Sequence, residues 1–173
     1  MSSNESGTKF IVDANAGKLA RWLRMLGYDT LFYNDIDDDE LVAIGLKERR
    51  LIITKDTQIM LRRVVSSGKV KALLVTQDDP KAQFRQLVDT LKLNREKQFT
   101  RCLECNMLLV HRGKDEVAGL VPPYVFQTQT QYYQCPECQR VYWRATHWQH
   151  MTQELDTLLG QTSETQSKPA SEA

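Results

Sequence analysis

The sequence has no long apolar segment and no excess of one charge. No run approaches the roughly 18 apolar residues that a membrane-spanning helix needs. The opening residues, MSSNESGTK, lack the apolar core of a signal peptide, so we expect a cytoplasmic protein with no membrane partner. Its 23 basic and 22 acidic residues leave a net charge of +1, which neither requires nor excludes a nucleic-acid partner.

The composition still provides for a folded core. With 41% hydrophobic and 26% charged residues, it is typical of a globular protein. The length of 173 residues suits one ordinary domain or two small ones. Only four cysteines are present, and in a reducing compartment they are more typical of metal ligands than of disulfides. No internal repeat is visible.

The first half of the chain alternates short apolar runs with amphipathic stretches. The pattern predicts four strands, at 10–13, 28–33, 51–54 and 71–75. A helix is predicted after each strand, at 17–26, 39–48, 57–66 and 80–92. Strands that alternate with such helices form βαβ units with right-handed crossovers and a largely parallel sheet. We therefore expect an α/β domain over residues 9–95, preceded by a disordered N-terminus at residues 1–8.

Local signals support several of these boundaries. Asp38 and Asp79 stand where N-caps are expected, and Pro80 suits the first position of a helix. Gly27 suits the position after a helix end. These signals favour helix starts near residues 38 and 80 and a helix end near residue 26.

Acidic residues follow the predicted strands. Asp13 follows the first strand, Asp56 the third, and Asp78 and Asp79 the fourth, while residues 35–40 form an acidic segment after the second. The carboxyl ends of parallel strands meet at one edge of a sheet, so these carboxylates should be neighbours. Such carboxylates repel one another, and a hard cation such as Mg²⁺ or Mn²⁺ neutralises them. That cation would hold a phosphate and activate a water for phosphodiester hydrolysis.

Each acid also has a purely structural alternative. An aspartate before a helix is most often an N-cap, as proposed above for Asp38 and Asp79, although a cap can also be a ligand. Asp37, Asp39 and Glu40 suit a helix dipole or a solvated surface, and the role of Asp35 stays open. Asp13 and Asp56 are the hardest to explain in this way. Thr54, close to Asp56, either orients a carboxylate or fills a strand position.

The first predicted helix has two distinct sides. Three leucines share one side and predict contact with the core: Leu19, Leu23 and Leu26. Three cations recur at every third residue on another side: Lys18, Arg21 and Arg24. A solvated basic face is the ordinary interpretation of such a row. Beside a metal site it would instead bind the phosphates of a polyanion.

The cysteines form two Cys-x-x-Cys pairs, Cys102-Leu-Glu-Cys105 and Cys135-Pro-Glu-Cys138. Each pair presents two thiolates from one tight turn, and two such turns complete a closed, structural Cys₄ zinc site. A redox pair is disfavoured because neither pair opens a helix in a thioredoxin-like unit, and an iron–sulfur cluster is a weaker alternative. We expect a small zinc-stapled module with a closing helix over residues 99–152, before a disordered tail at 160–173. The pattern MTQELDTLL places that closing helix at 151–159.

Aromatic and basic residues are frequent around the second cysteine pair. Among them are Tyr132, Tyr133, Tyr142, Trp143, Trp148, Arg140, Arg144 and His147. Such residues stack on and bind single-stranded RNA in other proteins. Packing around the zinc site is the alternative explanation for most of them.

Long motifs within residues 9–152 resemble one known family. They are DANAGKLARWLRMLGYDT, DDDEL, LIITKD and the two cysteine pairs followed by VYWRATHW. Together they resemble the Mut-7 C-terminal RNase domain family, which has a PIN-like nuclease fold with an attached zinc ribbon. The resemblance implies a PIN-like, parallel-sheet, three-layer domain followed by a small zinc-ribbon module.

The resemblance also implies roles for particular residues. Asp13, Asp38 and Asp56 match the acids that bind a catalytic cation, Mg²⁺ or Mn²⁺, and a fourth acid has two candidates, Asp78 and Asp79. Four residues match the zinc ligands of the ribbon: Cys102, Cys105, Cys135 and Cys138. PIN-like domains often pair, so a homodimer is an option.

The main hypothesis is a metal-dependent ribonuclease in which these acids hold the cation. It would cut single-stranded RNA at internal phosphodiester bonds. Four residues are candidate RNA contacts: Lys18, Arg21, Arg24 and Arg144. The alternative is a catalytically inactive adaptor that binds RNA or protein on the same scaffold. A phosphoryl-accepting signalling receiver is the weakest candidate, because such receivers pair two acids after the first strand and Asp13 is followed by Ala14.

Overall fold

The computed structural model describes residues 7–144 and 146–160, without the side chains of residues 146 and 147. The predictions of disorder at residues 1–8 and 160–173 therefore concern residues outside the described ranges, except for Gly7, Thr8 and Gly160. None of the described helices is long and apolar enough to cross a membrane.

A parallel four-stranded sheet forms the centre of the N-terminal part. Its strands are β1 (Phe10–Val12), β2 (Thr30–Phe32), β3 (Leu51–Thr54) and β4 (Ala72–Leu74). They lie in the order β2-β1-β3-β4, with Ile11 of β1 opposite Leu31 of β2 and Ile52 of β3. The predicted parallel α/β architecture is confirmed, and β1 and β3, which precede two predicted acids, are neighbours.

Five α-helices connect and flank these strands. They are α1 (Gly17–Met25), α2 (Asp38–Glu48), α3 (Thr57–Leu61), α4 (Arg63–Ser66) and α5 (Pro80–Leu91). The single helix predicted over 57–66 is wrong, because Arg62 is extended (φ −60°, ψ 135°) and separates α3 from α4. The carbonyl of Arg62 accepts the amides of Val65 and Ser66, at 2.9 and 2.8 Å, and so starts the second helix.

The sheet is packed on both faces. Successive residues of a strand point to opposite faces, so Phe10 and Val12 enter one core while Ile11 enters another. The first core includes buried residues of α1 and α5, such as Leu23 and Phe84. The second core includes buried residues of α2 and α3. Burial on both sides explains why the strands are continuous apolar runs.

Helix α1 is buried over most of its surface. The predicted core leucines are confirmed, since Leu19, Leu23 and Leu26 are all buried. The helix ends at Met25, and Gly27 takes the predicted position just after the helix end, with a φ of +92°. A Cβ atom at Gly27 would lie 2.0 Å from the carbonyl oxygen of Lys97, so this position needs glycine for space as well as for conformation.

Residues 99–144, here called the cysteine module, form a second sheet. Its strands are β5 (Val110–Arg112), β6 (Tyr132–Gln134) and β7 (Val141–Trp143), which pair antiparallel in the order β5-β6-β7. A short helix, α6 (Pro123–Thr128), lies in the connection between β5 and β6. The module contains all four cysteines.

The closing helix, α7 (Thr146–Leu158), returns to the first sheet. It begins before residue 151, where the sequence pattern placed its start, and it continues past the predicted module end at 152. Its buried residues Met151, Leu155 and Leu158 lie in the same core as α1 and α5. Phe99 and Leu103 of the cysteine module also enter that core. The two predicted modules therefore share one hydrophobic core, and their independence as domains stays a prediction.

Candidate functional site

Asp13 lies directly after β1, where the sequence pattern placed it, and is 6% exposed. Its amide donates to the Ile53 carbonyl at 2.9 Å, which continues the pairing of β1 with β3. Its carboxylate atom Oδ2 accepts a hydrogen bond from the Thr54 hydroxyl at 2.8 Å. A carboxylate is thus held in a buried position at the carboxyl end of the central strands.

Thr54 connects two of the predicted acids. Besides donating to Asp13, its Oγ1 accepts the Asp56 amide at 2.9 Å, and it is fully buried at the end of β3. Of the two roles open for this residue, orienting a carboxylate is the one that the hydrogen bond supports. The Asp56 carboxylate caps α3 by accepting the Gln58 amide at 2.8 Å.

Asp38 is the first residue of α2 and not its N-cap, so that prediction is wrong. Asp37 is the cap, because its carboxylate accepts the Glu40 amide at 2.8 Å. Asp38 Oδ2 lies 3.8 Å from Nη2 of Arg62, whose other nitrogen contacts Asp39. The hydrogen bond to Asp39 raises the pKa of Arg62. Asp38 therefore has a cationic neighbour in the break between α3 and α4.

The two candidates for a fourth acid follow β4. Asp79 caps α5 as predicted, accepting the Ala82 amide at 3.0 Å, and Pro80 takes the first helical position. Asp78 is exposed. We call the carboxyl ends of β1 to β4 the acidic edge; its acids are Asp13, Asp38, Asp56, Asp78 and Asp79.

The acids of this edge do not form a tight ligand cluster. Throughout the described residues, the four cysteines are the one group of three or more candidate ligands close enough to hold a metal ion. No described lysine or arginine forms an ion pair with Asp13 or Asp56. A buried carboxylate without a cationic partner is unfavourable, so the environment of Asp13 suits a bound cation.

The four cysteine sulfurs all lie within 4.8 Å of one another. The Sγ atoms of Cys102 and Cys138 are 3.7 Å apart. Four thiolates at the usual Zn–S distance in a tetrahedral site lie about 3.8 Å apart. The cluster therefore matches the predicted Cys₄ site in ligand type, ligand number and spacing.

Both cysteine turns share one backbone geometry. The amides of Asn106 and Gln139 donate to the carbonyls of Cys102 and Cys135, at 2.9 and 3.0 Å. Both donors adopt left-handed conformations, with φ of 66° and 63°. Neither is a glycine, so the left-handed positions could not be found from glycines in the sequence. Each turn positions its thiols through local hydrogen bonds.

The thiols cannot all ionise without a cation nearby. Burial raises the pKa of Cys105 to about 12, with further increases from Cys138 and the other thiolates. Burial also acts to raise the pKa of Cys102, but hydrogen bonds from the Tyr142 hydroxyl and two backbone amides outweigh it and lower the pKa to about 7. Because Zn²⁺ binds thiolates and offsets their repulsion, this donor set fits zinc.

Arg24 has a structural position, so the prediction that it shares a basic face with Lys18 and Arg21 is wrong. It is 8% exposed, and its guanidinium donates to the carbonyls of Thr30 (3.0 Å), Leu103 (2.8 Å) and Glu104 (3.2 Å). Burial lowers the pKa of Arg24, and the nearby Cys102 opposes that shift. Arg24 therefore joins α1 and β2 to the first cysteine turn.

Asn106 and Asp29 make a second connection that sequence reasoning missed. Asn106 Oδ1 accepts the Thr30 amide at 2.9 Å, and its Nδ2 donates to Asp29 at 2.7 Å. Asp29 in turn accepts from Arg50 at 2.7 Å. The one local signal was an asparagine directly after a cysteine pair, a residue type that tolerates the left-handed conformation.

The remaining candidate RNA contacts are exposed. Lys18 and Arg21 lie on the open side of α1, and Arg21 forms an ion pair with Glu104 at 3.6 Å. The Arg144 guanidinium lies 5.3 Å from the ring centroid of Trp148 in a cation–π contact. Binding of RNA by these three residues stays a prediction.

Comparison with known proteins identifies the family. No curated protein and no solved structure shows significant similarity to the chain. A family model described as the Mut7-C RNAse domain matches residues 8–155, a span that includes both the acidic edge and the cysteine cluster. The chain therefore belongs to the Mut7-C RNAse domain family, as the sequence motifs predicted.

Proposed function

We propose that the chain is a metal-dependent ribonuclease that hydrolyses internal phosphodiester bonds of RNA at the acidic edge. One observation carries the proposal. The buried carboxylate of Asp13 is oriented by Thr54, has no described cationic partner, and is linked through the same hydroxyl to Asp56. The RNase family supports RNA as the substrate.

Asp13, Asp38 and Asp56 are the proposed ligands of Mg²⁺ or Mn²⁺. When bound, such a cation supplies Lewis-acid stabilisation of charge on the scissile phosphate. The Thr54 hydroxyl orients the Asp13 carboxylate by a hydrogen bond of 2.8 Å. Arg62, which pairs with Asp38, supplies a positive charge for a phosphate at the same place. Zinc in the cysteine cluster has a structural role, because four thiolates leave no open coordination position.

We also propose that the N-terminal part is a PIN-like three-layer domain and the cysteine module a zinc ribbon. The strand order β2-β1-β3-β4 with helices packed against both faces supports the first assignment. The antiparallel sheet beside the cysteine cluster supports the second. Single-stranded RNA as the substrate form, a cytoplasmic location and a homodimer stay predictions that rest on the sequence.

The proposal is tested by incubating the purified protein with single-stranded RNA, with and without added Mn²⁺. Asp13→Asn is expected to slow cleavage by more than about 100-fold, because losing even an outer-shell contact typically costs 10–100-fold. Asp89→Asn, which changes an exposed acid of α5, is the matched control and should cleave normally. Equal rates for Asp13→Asn and the wild type would exclude the proposed site.

Thr54 tests whether the carboxylate must be oriented. Thr54→Val keeps the side-chain shape and removes the hydroxyl that contacts Asp13 and Asp56, so cleavage should fall about tenfold or more. The Mn²⁺ concentration for half-maximal rate should rise at the same time, which a merely structural defect would not require. Thr54→Ser restores the hydroxyl and should recover most of both quantities. Failure of the serine variant to recover would contradict the positioning role.

A catalytically inactive adaptor is the second candidate. It is favoured by the ion pair between Asp38 and Arg62 and by the absence of a tight acidic cluster within the described residues. An adaptor would bind RNA without added Mn²⁺ and would cleave no RNA under any metal condition. A rate that depends on both Mn²⁺ and Asp13 would exclude it.

A further inference from the structure

A groove of about 640 Å³ lies at the end of the parallel sheet opposite the acidic edge. Its walls come from the residues that precede β1, β3 and β4 and from the carboxyl ends of α2 and α5. Five described lining residues are basic and none is acidic: Lys9, Arg49, Arg50, Lys69 and Lys71. We call this feature the basic groove.

One of the five cations is already neutralised. Arg50 is buried and pairs with Asp29 at 2.7 Å and with Glu48 at 2.6 Å. The other four side chains belong to exposed residues, and none forms an ion pair with a residue of the described ranges 7–144 and 146–160. The groove therefore presents four uncompensated positive charges.

Only one of these four cations lies where it would stabilise a helix dipole. Arg49 is the C-cap of α2, where a cation offsets the negative end of the helix. Lys9 and Lys71 instead directly precede β1 and β4, and their carbonyls accept the amides of Leu51 and Ile52 at 2.8 and 2.9 Å. These bonds fix the two lysines on either side of β3, about 10 Å apart by the usual strand spacing.

We propose that the basic groove binds the sugar–phosphate backbone of a single strand of RNA. Four uncompensated cations line one groove, and an extended chain of phosphates neutralises more of them than a single phosphate does. The groove is concave, which suits a strand and prevents the close approach of a bilayer. The family supports RNA as the polyanion.

The lining of the basic groove also predicts how RNA is recognised. Its apolar residues include Leu46, Leu91 and Leu93, and no aromatic residue is among the described lining. Without an aromatic ring, bases have no stacking platform, so contact is made through phosphates. Binding should therefore depend strongly on salt and weakly on base sequence.

This inference goes beyond the proposed function and does not depend on it. Lys9 and Asp13 are four residues apart along β1, which separates the groove from the acidic edge by about 13 Å. Binding in the groove requires no Mg²⁺ or Mn²⁺. Binding and cleavage can therefore fail separately, and they are measured separately.

The test measures binding of a fluorescein-labelled oligouridylate by fluorescence anisotropy, over a salt series without added Mg²⁺ or Mn²⁺. The variant Lys9→Gln/Lys69→Gln/Lys71→Gln is compared with Lys81→Gln/Lys97→Gln/Lys114→Gln, which removes equal charge outside the groove. Three lost phosphate contacts should lower the slope of log affinity against log salt by about 2, and affinity at low salt by at least about tenfold. The control should bind within about twofold of the wild type.

Binding of the same variants to phosphatidylserine vesicles is measured by cosedimentation. Three outcomes would overturn the inference: unchanged RNA binding by the groove variant, an equal loss of RNA binding in the control, or a groove variant that loses vesicle binding but keeps RNA binding. The single variants and thermal unfolding curves guard against misfolding of the triple variant. Measuring RNA binding by Asp13→Asn distinguishes the proposal of a nuclease at the acidic edge from the proposal of RNA binding in the basic groove. Normal RNA binding by Asp13→Asn together with no cleavage by the wild type would exclude the nuclease and leave the groove intact.

Discussion

The acidic edge and the cysteine cluster both gather anionic side chains, but they are assembled in different ways. Each half of the cysteine cluster comes from one turn, in which the backbone itself positions the two thiols. The acids of the edge come from separate strands, and Asp56 and Asp79 already accept amides of their own helices. Local geometry builds the first site, whereas the second depends on strand order and on Thr54.

Hydrogen bonds and a shared hydrophobic core also connect the cysteine cluster to the parallel sheet. The amide and carbonyl of Thr30, at the start of β2, bind Asn106 and Arg24 respectively. Arg24 also holds the first cysteine turn, and Leu103 from that turn enters the main core. A change in the cysteine cluster should therefore reach the sheet, while a change at the acidic edge need not reach the cluster.

The largest expected effect is loss of the cluster itself. Cys135→Ser removes a buried ligand, so the protein should lose its zinc and at least about 3 kcal/mol of unfolding free energy. A domain of this size then melts about 6–12 °C lower. Zinc content by mass spectrometry and thermal unfolding measure both changes.

Asp13→Asn is the comparison at the acidic edge and should retain one zinc per chain. Full zinc content and normal melting in Cys135→Ser would contradict a Cys₄ structural site. Equal zinc loss in Asp13→Asn would contradict the one-way connection between the two regions.

An intermediate effect is expected at the junction of the two regions. Arg24→Met keeps the aliphatic volume and leaves the carbonyls of Leu103 and Glu104 without their donor, at a cost of about 2–4 kcal/mol. Arg21→Met is the matched control on the same helix and should cost less than about 1 kcal/mol, because its ion pair is exposed. Urea unfolding measures both variants. If Arg24→Met has normal stability but lower RNA affinity, Arg24 would instead belong to the RNA-binding basic face that the sequence predicted.

The smallest effect distinguishes Asp37 from Asp38, two adjacent acids at the start of α2. Asp37→Ala removes the N-cap of α2 and should cost about 1 kcal/mol. Asp38→Ala removes a charge from the first turn and an exposed ion pair with Arg62, and should cost about 0.5 kcal/mol or less. Cleavage should respond in the opposite order, with the larger loss in Asp38→Ala. If Asp37→Ala cleaves more slowly, the ligand has been assigned to the wrong acid.

Much of the fold was predictable because its signals are local. The apolar runs gave the positions of all four parallel strands within about two residues, as expected for strands buried on both faces. Asp79, Pro80 and Gly27 marked helix ends through contacts with their own neighbours in the chain. The split at Arg62 and the early start of α7 were missed, because no proline or glycine stands at either place.

The candidate site was predictable only in part. The sequence located the acids at strand ends but could not tell Asp37 from Asp38 as the cap, since both precede the same helix. It could not show that Arg24 is buried, because spacing along one helix does not reveal that the neighbouring surface is covered by a segment about 80 residues away. The basic groove is drawn from four separate segments of the chain and had no signal in any one of them.

The sequence by itself determined the parallel α/β architecture, the family and the four cysteines that can hold a zinc ion, because short-range patterns encode strands, turns and paired thiols. Tertiary structure decided which charged residues are available for function. Burial and hydrogen bonding to distant carbonyls turned Arg24 into a structural residue, and the Thr54 hydroxyl joined Asp13 to Asp56 across two strands. Availability depends on what covers a side chain, and in this protein the covering residues are remote in sequence.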